Sequence, residues 1–298
     1  MTPSIVTHPA CLLHDPGQRH PETPERLRAV LDKVRGAGYA VQDAPTATID
    51  ALRGVHPDSY ARDIEAMCLR GGGMVGQDTV LDRSSYSAAL GGIGAILAAV
   101  DQADAGPGHS FALVRPPGHH ALRERAMGFC LFANAVIAAR YAQRLGRERI
   151  MVIDWDVHHG NGTQALVEAD PTIFYVSMHQ WPWYPGTGTA SERGVGNVFN
   201  VPRESGLPAE RYVSDLWTAI EAAGSHITPD LIVLSAGYDS MLGDPLGGFT
   251  LEPDDYATLT TRIRERFADT PLVGLMEGGY APSRLADGVV ATLSALGA

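Results

Sequence analysis

The feature that most constrains the fold of this chain is an apolar run at residues 150–153. It ends in the sequence Asp-Trp-Asp-Val-His-His-Gly-Asn-Gly, residues 154–162. A short apolar run bounded by a turn signal predicts a buried β-strand. Carboxylates are costly to bury unless they are paired or bound to a cation. A buried strand that ends in two acids and two histidines therefore indicates the rim of a metal site.

Four further short apolar runs are likewise followed by polar residues. They lie at residues 111–114, 172–177, 231–235 and 271–276. Patterns typical of amphipathic helices separate the five runs, as at residues 24–35, where Pro and Glu begin the pattern. This alternation predicts an α/β fold with a central, mostly parallel sheet covered by helices on both faces. Because no repeat or linker interrupts it, we expect a single domain over residues 1–298.

The composition argues against several classes of protein. The chain has 298 residues and a formal net charge of -11, which disfavours binding along a nucleic-acid backbone. Its three cysteines, Cys11, Cys68 and Cys130, are far apart, so they predict neither a disulfide framework nor a cysteine zinc site. There is no signal-peptide pattern and no apolar run of about eighteen residues. We therefore expect a cytoplasmic protein that binds neither nucleic acid nor membranes; the oligomeric state stays open.

Polar side chains follow every one of the five predicted strands. These clusters lie at residues 115–120, 154–159, 177–179, 237–245 and 277–280. In open α/β sheets, ligands bind beyond the carboxyl ends of the strands. Turns alone would need only Gly, Pro, Asn and Ser, whereas four of the clusters contain groups suited to metal binding or acid–base chemistry. The sequence therefore predicts one crevice into which all five clusters converge.

The candidate metal ligands are two acids and one histidine. Asp156 and His158 are two residues apart, so their side chains point the same way in an extended segment. Asp244, in a Gly-Asp-Pro corner, is the best third oxygen donor. Two carboxylates and one imidazole suit a catalytic zinc ion with an open fourth position, and manganese or iron(II) accepts the same donors. A buried ion pair between Asp156 and His158 is the simpler alternative.

Two adjacent histidines are candidates for acid–base work. His119 and His120 follow a Pro-Pro-Gly turn that restricts the backbone. Asp154 and Asn161 can fix the orientation of the two rings. Since a carboxylate raises the pKa of an imidazole and a neutral amide does not, the two histidines would differ in basicity. Ordinary loop histidines, or further metal ligands, are the alternatives.

Aromatic residues are placed to complete a binding site. Tyr280 closes a Glu-Gly-Gly-Tyr segment whose glycines permit a sharp turn, and a phenol above the crevice can donate to an oxyanion. Phe129, which follows Gly128, and the aromatic loop around Tyr184 would wall a narrow apolar channel. Simple packing is the alternative explanation for each of these residues.

Six motifs together identify a family resemblance. They are Arg-Pro-Pro-Gly-His-His-Ala at 115–121, Gly-Phe-Cys-Leu-Phe-Ala-Asn at 128–134, Asp-Trp-Asp-Val-His-His-Gly-Asn-Gly-Thr-Gln at 154–164, Ser-Ala-Gly-Tyr-Asp-Ser at 235–240, Gly-Asp-Pro-Leu-Gly-Gly at 243–248 and Glu-Gly-Gly-Tyr at 277–280. In this order they resemble the zinc-dependent histone deacetylase superfamily, most closely class II and its bacterial deacetylase-like relatives. The resemblance runs from about residue 8 to residue 292.

The resemblance implies the arginase/deacetylase fold, with a parallel sheet of about eight strands. It implies three zinc ligands: Asp156, His158 and Asp244. It also implies that His119 and His120 are the tandem histidines, backed by Asp154 and Asn161, with His120 as general base. Tyr280 is then the tyrosine that polarises the scissile carbonyl.

The resemblance further implies a structural monovalent cation, expected to be potassium. Its ligands would be Asp154, Ser177 and backbone oxygens of Asp156, His158 and Met178. The family's acyl-lysine tunnel would be flanked by Phe129 and Tyr184, with Gly128 beside them.

The substrate is inferred from one position. Polyamine-selective relatives carry an acidic residue seven positions past the third zinc ligand, and counting from Asp244 gives Leu251 here. A neutral residue favours an acyl-lysine stem over a cationic polyamine. We therefore expect a zinc-dependent hydrolase that removes acetyl or other acyl groups from lysine side chains in proteins or peptides. Deacetylation of acetylpolyamines or other small amides is the alternative.

Two readings from other classes remain. Binuclear-manganese ureohydrolases share the implied fold, but the histidine pair and Tyr280 argue against them. A degenerate acyl-lysine binding module would have lost a ligand or the tyrosine, and this chain has lost neither.

Overall fold

A computed structural model describes residues 2–17, 19–105 and 108–298, and its main feature is one eight-stranded sheet. All neighbouring strands pair in parallel, in the order β2-β1-β5-β10-β9-β6-β7-β8. The strands are β1 (Ser4–Thr7), β2 (Val41–Asp43), β5 (Ser110–Leu113), β6 (Ile150–Asp154), β7 (Ile173–Gln180), β8 (Val198–Arg203), β9 (Leu231–Ala236) and β10 (Leu272–Met276). Strands β3 (Gly73–Val75) and β4 (Thr79–Leu81) form a separate antiparallel hairpin.

Helices cover this sheet in two groups. They are α1 (Pro24–Gly36), α2 (Asp58–Leu69), α3 (Ser85–Asp104), α4 (Asn134–Arg144), α5 (Asn161–Val167), α6 (Ala209–Gly224), α7 (Pro253–Arg266) and α8 (Pro282–Gly297). Helices α2 to α5 pack on one another, and α1, α8, α7 and α6 form a second packed series. Short 3-10 helices lie at Pro9–Leu12 and Ile49–Leu52. The predicted α/β fold is confirmed.

The burial of the central strands explains why the sequence pattern predicts them well. Every residue of β6, β9 and β10 is buried, as expected for parallel strands covered on both faces. Edge strands β2 and β8 are partly exposed and carry polar residues, so they do not read as apolar runs. Within the described ranges, no helix combines the length and apolarity needed to cross a membrane.

The order of the strands positions the site. The five strands followed by polar clusters, β5, β10, β9, β6 and β7, are consecutive in the sheet. Because they run in parallel, their carboxyl ends lie side by side along one edge. In the register of the sheet, Asp154 at the end of β6 is flanked by Ser235 of β9 and Ser177 of β7. The polar clusters therefore meet there, as predicted.

Candidate metal centre and pocket

Two acids and a histidine meet beyond β6 and β9. Asp156 and His158 follow β6, and Asp239 follows the neighbouring strand β9. Nδ1 of His158 lies 3.0 Å from Oδ1 of Asp156 and 3.2 Å from Oδ2 of Asp239. All three side chains are buried, and one potential ligand atom from each lies within 4.8 Å of the others. The three residues form a donor set of the kind that binds divalent zinc.

Two observations show that this group suits a cation better than a plain ion pair. Oδ2 of Asp239 is buried and has no hydrogen-bond partner among the described residues. A Cβ atom at Gly278 would lie 2.2 Å from this oxygen and 2.4 Å from Oδ2 of Asp156, so glycine leaves the space that the two carboxylates need. Burial and the Asp156 carboxylate raise the pKa of Asp239 to about 7. A divalent cation close to these carboxylates would relieve the repulsion between them.

Asp244, the third ligand that the sequence predicts, lies beside this group, because its carboxylate and those of Asp156 and Asp239 influence one another electrostatically. Its assignment as a metal ligand stays a prediction. Oδ2 of Asp244 accepts a hydrogen bond from the backbone N–H of Tyr280 at 2.6 Å, and its Oδ1 accepts one from Leu246 at 2.9 Å. The chain leaves β9 directly toward Asp239 and turns before it reaches Asp244.

The tandem histidines lie against the partners expected for them. Nδ1 of His119 is 3.2 Å from Oδ2 of Asp154, and Nδ1 of His120 is 2.8 Å from Oδ1 of Asn161. The two ring centroids are 4.0 Å apart. Burial disfavours the charged form of both rings. For His119, the Asp156 and Asp154 carboxylates outweigh burial and raise the pKa to about 10.

The pKa of His120 shifts in the opposite direction to that of His119. Burial, together with the positive charge that His119 and His158 can carry, holds the pKa of His120 well below its usual value. Its ring is 3 % exposed and borders a pocket, so it faces the space where a substrate would bind. A neutral imidazole in this position is able to accept a proton.

The pocket has a volume of about 250 Å³ and lies over the His158 side of the metal group. It is lined by Asp78, His120, Gly128, Phe129, His158, Trp183, Tyr184, Leu246 and Tyr280. Phe129 packs edge-on against Tyr280 with ring centroids 5.7 Å apart, and Tyr184 packs edge-on against His120 at 5.1 Å. The structure therefore brings the predicted residues Gly128, Phe129 and Tyr184 together at one pocket.

Leu251 is not among the residues that line the pocket, and its role in substrate selection stays a prediction. Leu251 is fully buried, and its backbone N–H donates to the carbonyl of Ser240 at 3.1 Å. Leu246, two residues past Asp244, does line the pocket.

Tyr280 is held over the pocket by the backbone around it. Its N–H donates to Asp244, and the guanidinium carbon of Arg26 lies 4.7 Å from the centre of its ring. Arg26 also donates to the carbonyls of Gly279 and Glu277, each at 2.5 Å. Burial raises the pKa of Tyr280 well above its usual value, although Arg26 opposes the shift. The phenol therefore stays protonated and remains a donor.

Sequence reasoning missed one acid that shapes the site. Oε2 of Glu277 accepts hydrogen bonds from the N–H groups of Gly118 at 2.6 Å and His119 at 3.2 Å, and Ser235 donates to Oε1 at 3.0 Å. Glu277 thus ties the histidine turn to the ends of β9 and β10. Its motif was quoted in the sequence, but nothing there says which backbone groups its carboxylate reaches.

The comparisons with known proteins agree with this geometry. A family model described as the histone deacetylase domain matches residues 20–296. The chain belongs to the histone deacetylase family. The HD domain of HDA15 superposes with a TM-score of 0.93 at 32% identity, covering 98% of this chain and 90% of that one. The arginase/deacetylase fold expected for a histone deacetylase is thereby confirmed.

Relatives within the histone deacetylase family come from several kingdoms. An uncharacterized Synechocystis protein is 41% identical, covering 98% of this chain and 99% of its own. A histone deacetylase-like amidohydrolase of Pseudomonas aeruginosa is 39% identical over 88% of this chain and 72% of its own. Human polyamine deacetylase HDAC10 is 34% identical over 96% of this chain and 46% of its own. These relatives support a deacetylating enzyme and leave lysine and polyamine substrates both open.

Proposed function

We propose that this protein is a zinc-dependent deacylase that hydrolyses acyl-lysine side chains in peptides or proteins and releases a carboxylic acid, typically acetate, and the free amine. The observation that carries the proposal is the cluster of acids around His158, which includes Asp156, Asp239 and Asp244, beside a pocket lined by both His120 and Tyr280. A metal group, a neutral imidazole and a protonated phenol at one pocket are the parts that amide hydrolysis needs.

The metal-binding residues would be Asp156, His158 and Asp244, a donor set of two carboxylates and one imidazole that suits a catalytic zinc ion. When bound, zinc supplies Lewis acidity that polarises the amide carbonyl and acidifies water. Manganese or iron(II) accepts the same donors, so direct metal analysis is needed to identify the ion.

His120 would act as the general base. Oδ1 of Asn161 accepts from Nδ1 of His120, which leaves Nε2 as the basic atom of the ring. The low pKa of His120 keeps this atom free at neutral pH. It takes a proton from the attacking water and then delivers it to the leaving amine.

Tyr280 would stabilise the charge that develops on the carbonyl oxygen. Its phenol is protonated, and hydrogen bonds aimed at a developing oxyanion are worth more in a buried site than in water. Phe129 and Tyr184 would flank the linear stem of the acylated side chain, since both rings line the pocket.

We also assign a structural potassium ion to Asp154, Ser177 and Met178. Nε2 of His179 lies 2.8 Å from the carbonyl of Gly188, which can only accept, so Nδ1 of His179 must accept the proton of Ser177 at 2.9 Å. The Ser177 oxygen then has only lone pairs for other partners, which suits a cation ligand. Asp154 faces Ser177 in the register of β6 and β7.

One observation favours the second candidate, an acetylpolyamine deacetylase. Asp78 lines the pocket, and an acid there attracts a cationic substrate. Oδ1 of Asp78 already accepts from Gly128 N–H and from Thr79, each at 3.0 Å, which reduces this effect. Leu251, seven positions past Asp244, and Leu246 in the pocket lining are both neutral, which favours the stem of an acyl-lysine.

The test compares substrates on the purified protein. We expect kcat/KM for an acetyl-lysine peptide to exceed that for acetylputrescine and acetylspermidine by about tenfold or more. Leu246→Glu should shift the preference toward the polyamines. Leu242→Glu, the same change at an exposed leucine outside the pocket lining, should not. Preferred hydrolysis of acetylspermidine by the unaltered protein would establish the second candidate, and hydrolysis of none of the three would overturn both.

A further inference from the structure

The segment after β7, residues 181–192, forms a wall of the pocket without any regular secondary structure. We call it the aromatic loop. It contributes Trp183 and Tyr184 to the pocket lining, and the ring of Tyr184 lies 5.1 Å from that of His120 and 6.1 Å from that of His158. Because no helix or strand holds this loop, its position must come from contacts of its own groups with the sheet.

The first anchor is His179, the next-to-last residue of β7. Its Nε2 donates to the backbone carbonyl of Gly188 in the loop at 2.8 Å, and its Nδ1 accepts from Ser177 at 2.9 Å. The ring is fully buried, so both of its nitrogen atoms are satisfied inside the protein. One imidazole thus joins the loop to strand β7.

The second anchor is His159, and its hydrogen-bond direction is also fixed. The carboxylate of Glu192 can only accept, so Nε2 of Gln164 donates to it at 2.8 Å. Oε1 of Gln164 then accepts from Nε2 of His159 at 2.8 Å, and Nδ1 of His159 accepts from the hydroxyl of Thr187 at 2.8 Å. This network of hydrogen bonds connects Gln164 of helix α5 to two residues of the loop, Thr187 and Glu192.

The loop is seated against both rings at once. The centroids of His159 and His179 are 4.7 Å apart, and Gly188 lies against them. A Cβ atom on Gly188 would lie 2.5 Å from Cγ of His159 and 2.6 Å from Nε2 of His179, and its φ of +91° is the left-handed region that favours glycine. Glu192 closes the loop by accepting from the N–H groups of Gly188 and Thr189.

We propose that His159 and His179 are positioning residues, which fix the aromatic loop and so set the Tyr184 wall of the substrate pocket. Neither ring lines the pocket, so both act through the loop. The inference rests on the proposed function in one respect: the effect on catalysis is measured with an acetyl-lysine peptide.

The test uses a pair of variants, each of which keeps the hydrogen bond of only one ring nitrogen of His179. Asn places a polar atom near Nδ1 and keeps the bond to Ser177, whereas Gln places one near Nε2 and keeps the bond to Gly188. We expect His179→Asn to raise KM about tenfold, the usual effect of one lost buried hydrogen bond, with kcat nearly unchanged. We expect His179→Gln to keep KM near that of the unaltered protein. Hydrogen exchange of residues 181–192 should quicken in the first variant alone.

The control is His56→Gln. His56 is a buried histidine with two hydrogen bonds, to the carbonyl of Arg123 and from the N–H of Ala133, and none to the loop. The His56→Gln substitution should lower the melting temperature of the protein without raising KM for the acetyl-lysine peptide. If His179→Asn fails to fold, Thr187→Val removes the hydroxyl that bonds His159 and should raise KM and loop exchange likewise.

Unchanged KM and unchanged loop exchange in the folded variants would overturn the inference, as would an effect that His56→Gln reproduces. If the unaltered protein hydrolyses no acetylated amine, the proposed function fails, but the exchange measurement still decides whether the two histidines hold the loop.

Discussion

At the scale of single residues, the site depends on a contrast between two adjacent histidines. The high pKa of His119 arises from Asp156 and Asp154, while His120 is bonded to the amide of Asn161. A divalent cation bound at Asp156 would compete with His119 for the charge of that carboxylate and lower the pKa of His119. We therefore propose that His120 is the base whether or not a metal is bound, and that metal binding changes the pKa of His119.

Tyr280 provides the sharpest test at this scale. Tyr280→Phe removes the phenol proton and leaves the ring contacts with Phe129 and Arg26 possible. We expect kcat to fall by about 10²- to 10³-fold, as for the loss of one donor to an oxyanion, with metal content unchanged. The measurement is steady-state kinetics beside metal analysis.

The matched control is Tyr141→Phe, which removes a phenol hydroxyl bonded to Asp101 on the surface. It should leave kcat unchanged. Full turnover by Tyr280→Phe would show that the phenol does not assist the reaction.

At the scale of elements, the sequence predicts the central strands well and the edges poorly. All five apolar runs form strands, because strands buried on both faces must be continuously apolar. Strands β1, β2 and β8 escape prediction. The first two have only four and three residues, and β8 contains Pro202 and polar side chains. Short or half-exposed strands lack the apolar length on which such a prediction depends.

The candidate site shows a similar limit. Asp156 and His158 are found from spacing because an extended segment fixes the direction of alternate side chains. Asp239 and Asp244 follow the same strand, and only the path of the backbone decides which carboxylate reaches His158 and which one accepts from Tyr280. The Glu277 contacts and the loop anchors depend on distant backbone groups and leave no local pattern. The motifs therefore predict which residues meet at the site, and only the three-dimensional structure shows which groups each side chain contacts.

At the scale of the whole molecule, buried neutral histidines make stability depend on pH. Burial lowers the pKa of His56 to about 4, against the bond to the Arg123 carbonyl, which raises it. The unfolded value is about 6.5, so as pH falls the unfolded chain takes up a proton first. The stability that neutral His56 contributes is therefore present above about pH 6.5 and is lost as pH falls toward 4.

We expect this group alone to reduce the free energy of unfolding by about 2 kcal/mol between pH 7 and pH 5. His56→Gln cannot titrate, so its stability deficit relative to the unaltered protein should shrink by that amount over the same range. Urea unfolding at the two pH values measures this difference, with the exposed His226→Gln as control. A deficit that is the same at both pH values would contradict the assignment of the shift to His56.

The central proposal is that Asp156, His158 and Asp244 hold one catalytic divalent ion. Metal analysis of the purified protein, Asp239→Asn and Asp244→Asn, together with their deacetylase activity before and after chelation, tests it most directly. We expect one zinc ion per chain in the unaltered protein, loss of metal and of activity in Asp244→Asn, and loss of activity on chelation that added zinc restores. Metal retained by Asp244→Asn but lost from Asp239→Asn, or turnover that survives removal of the metal, would contradict the proposal.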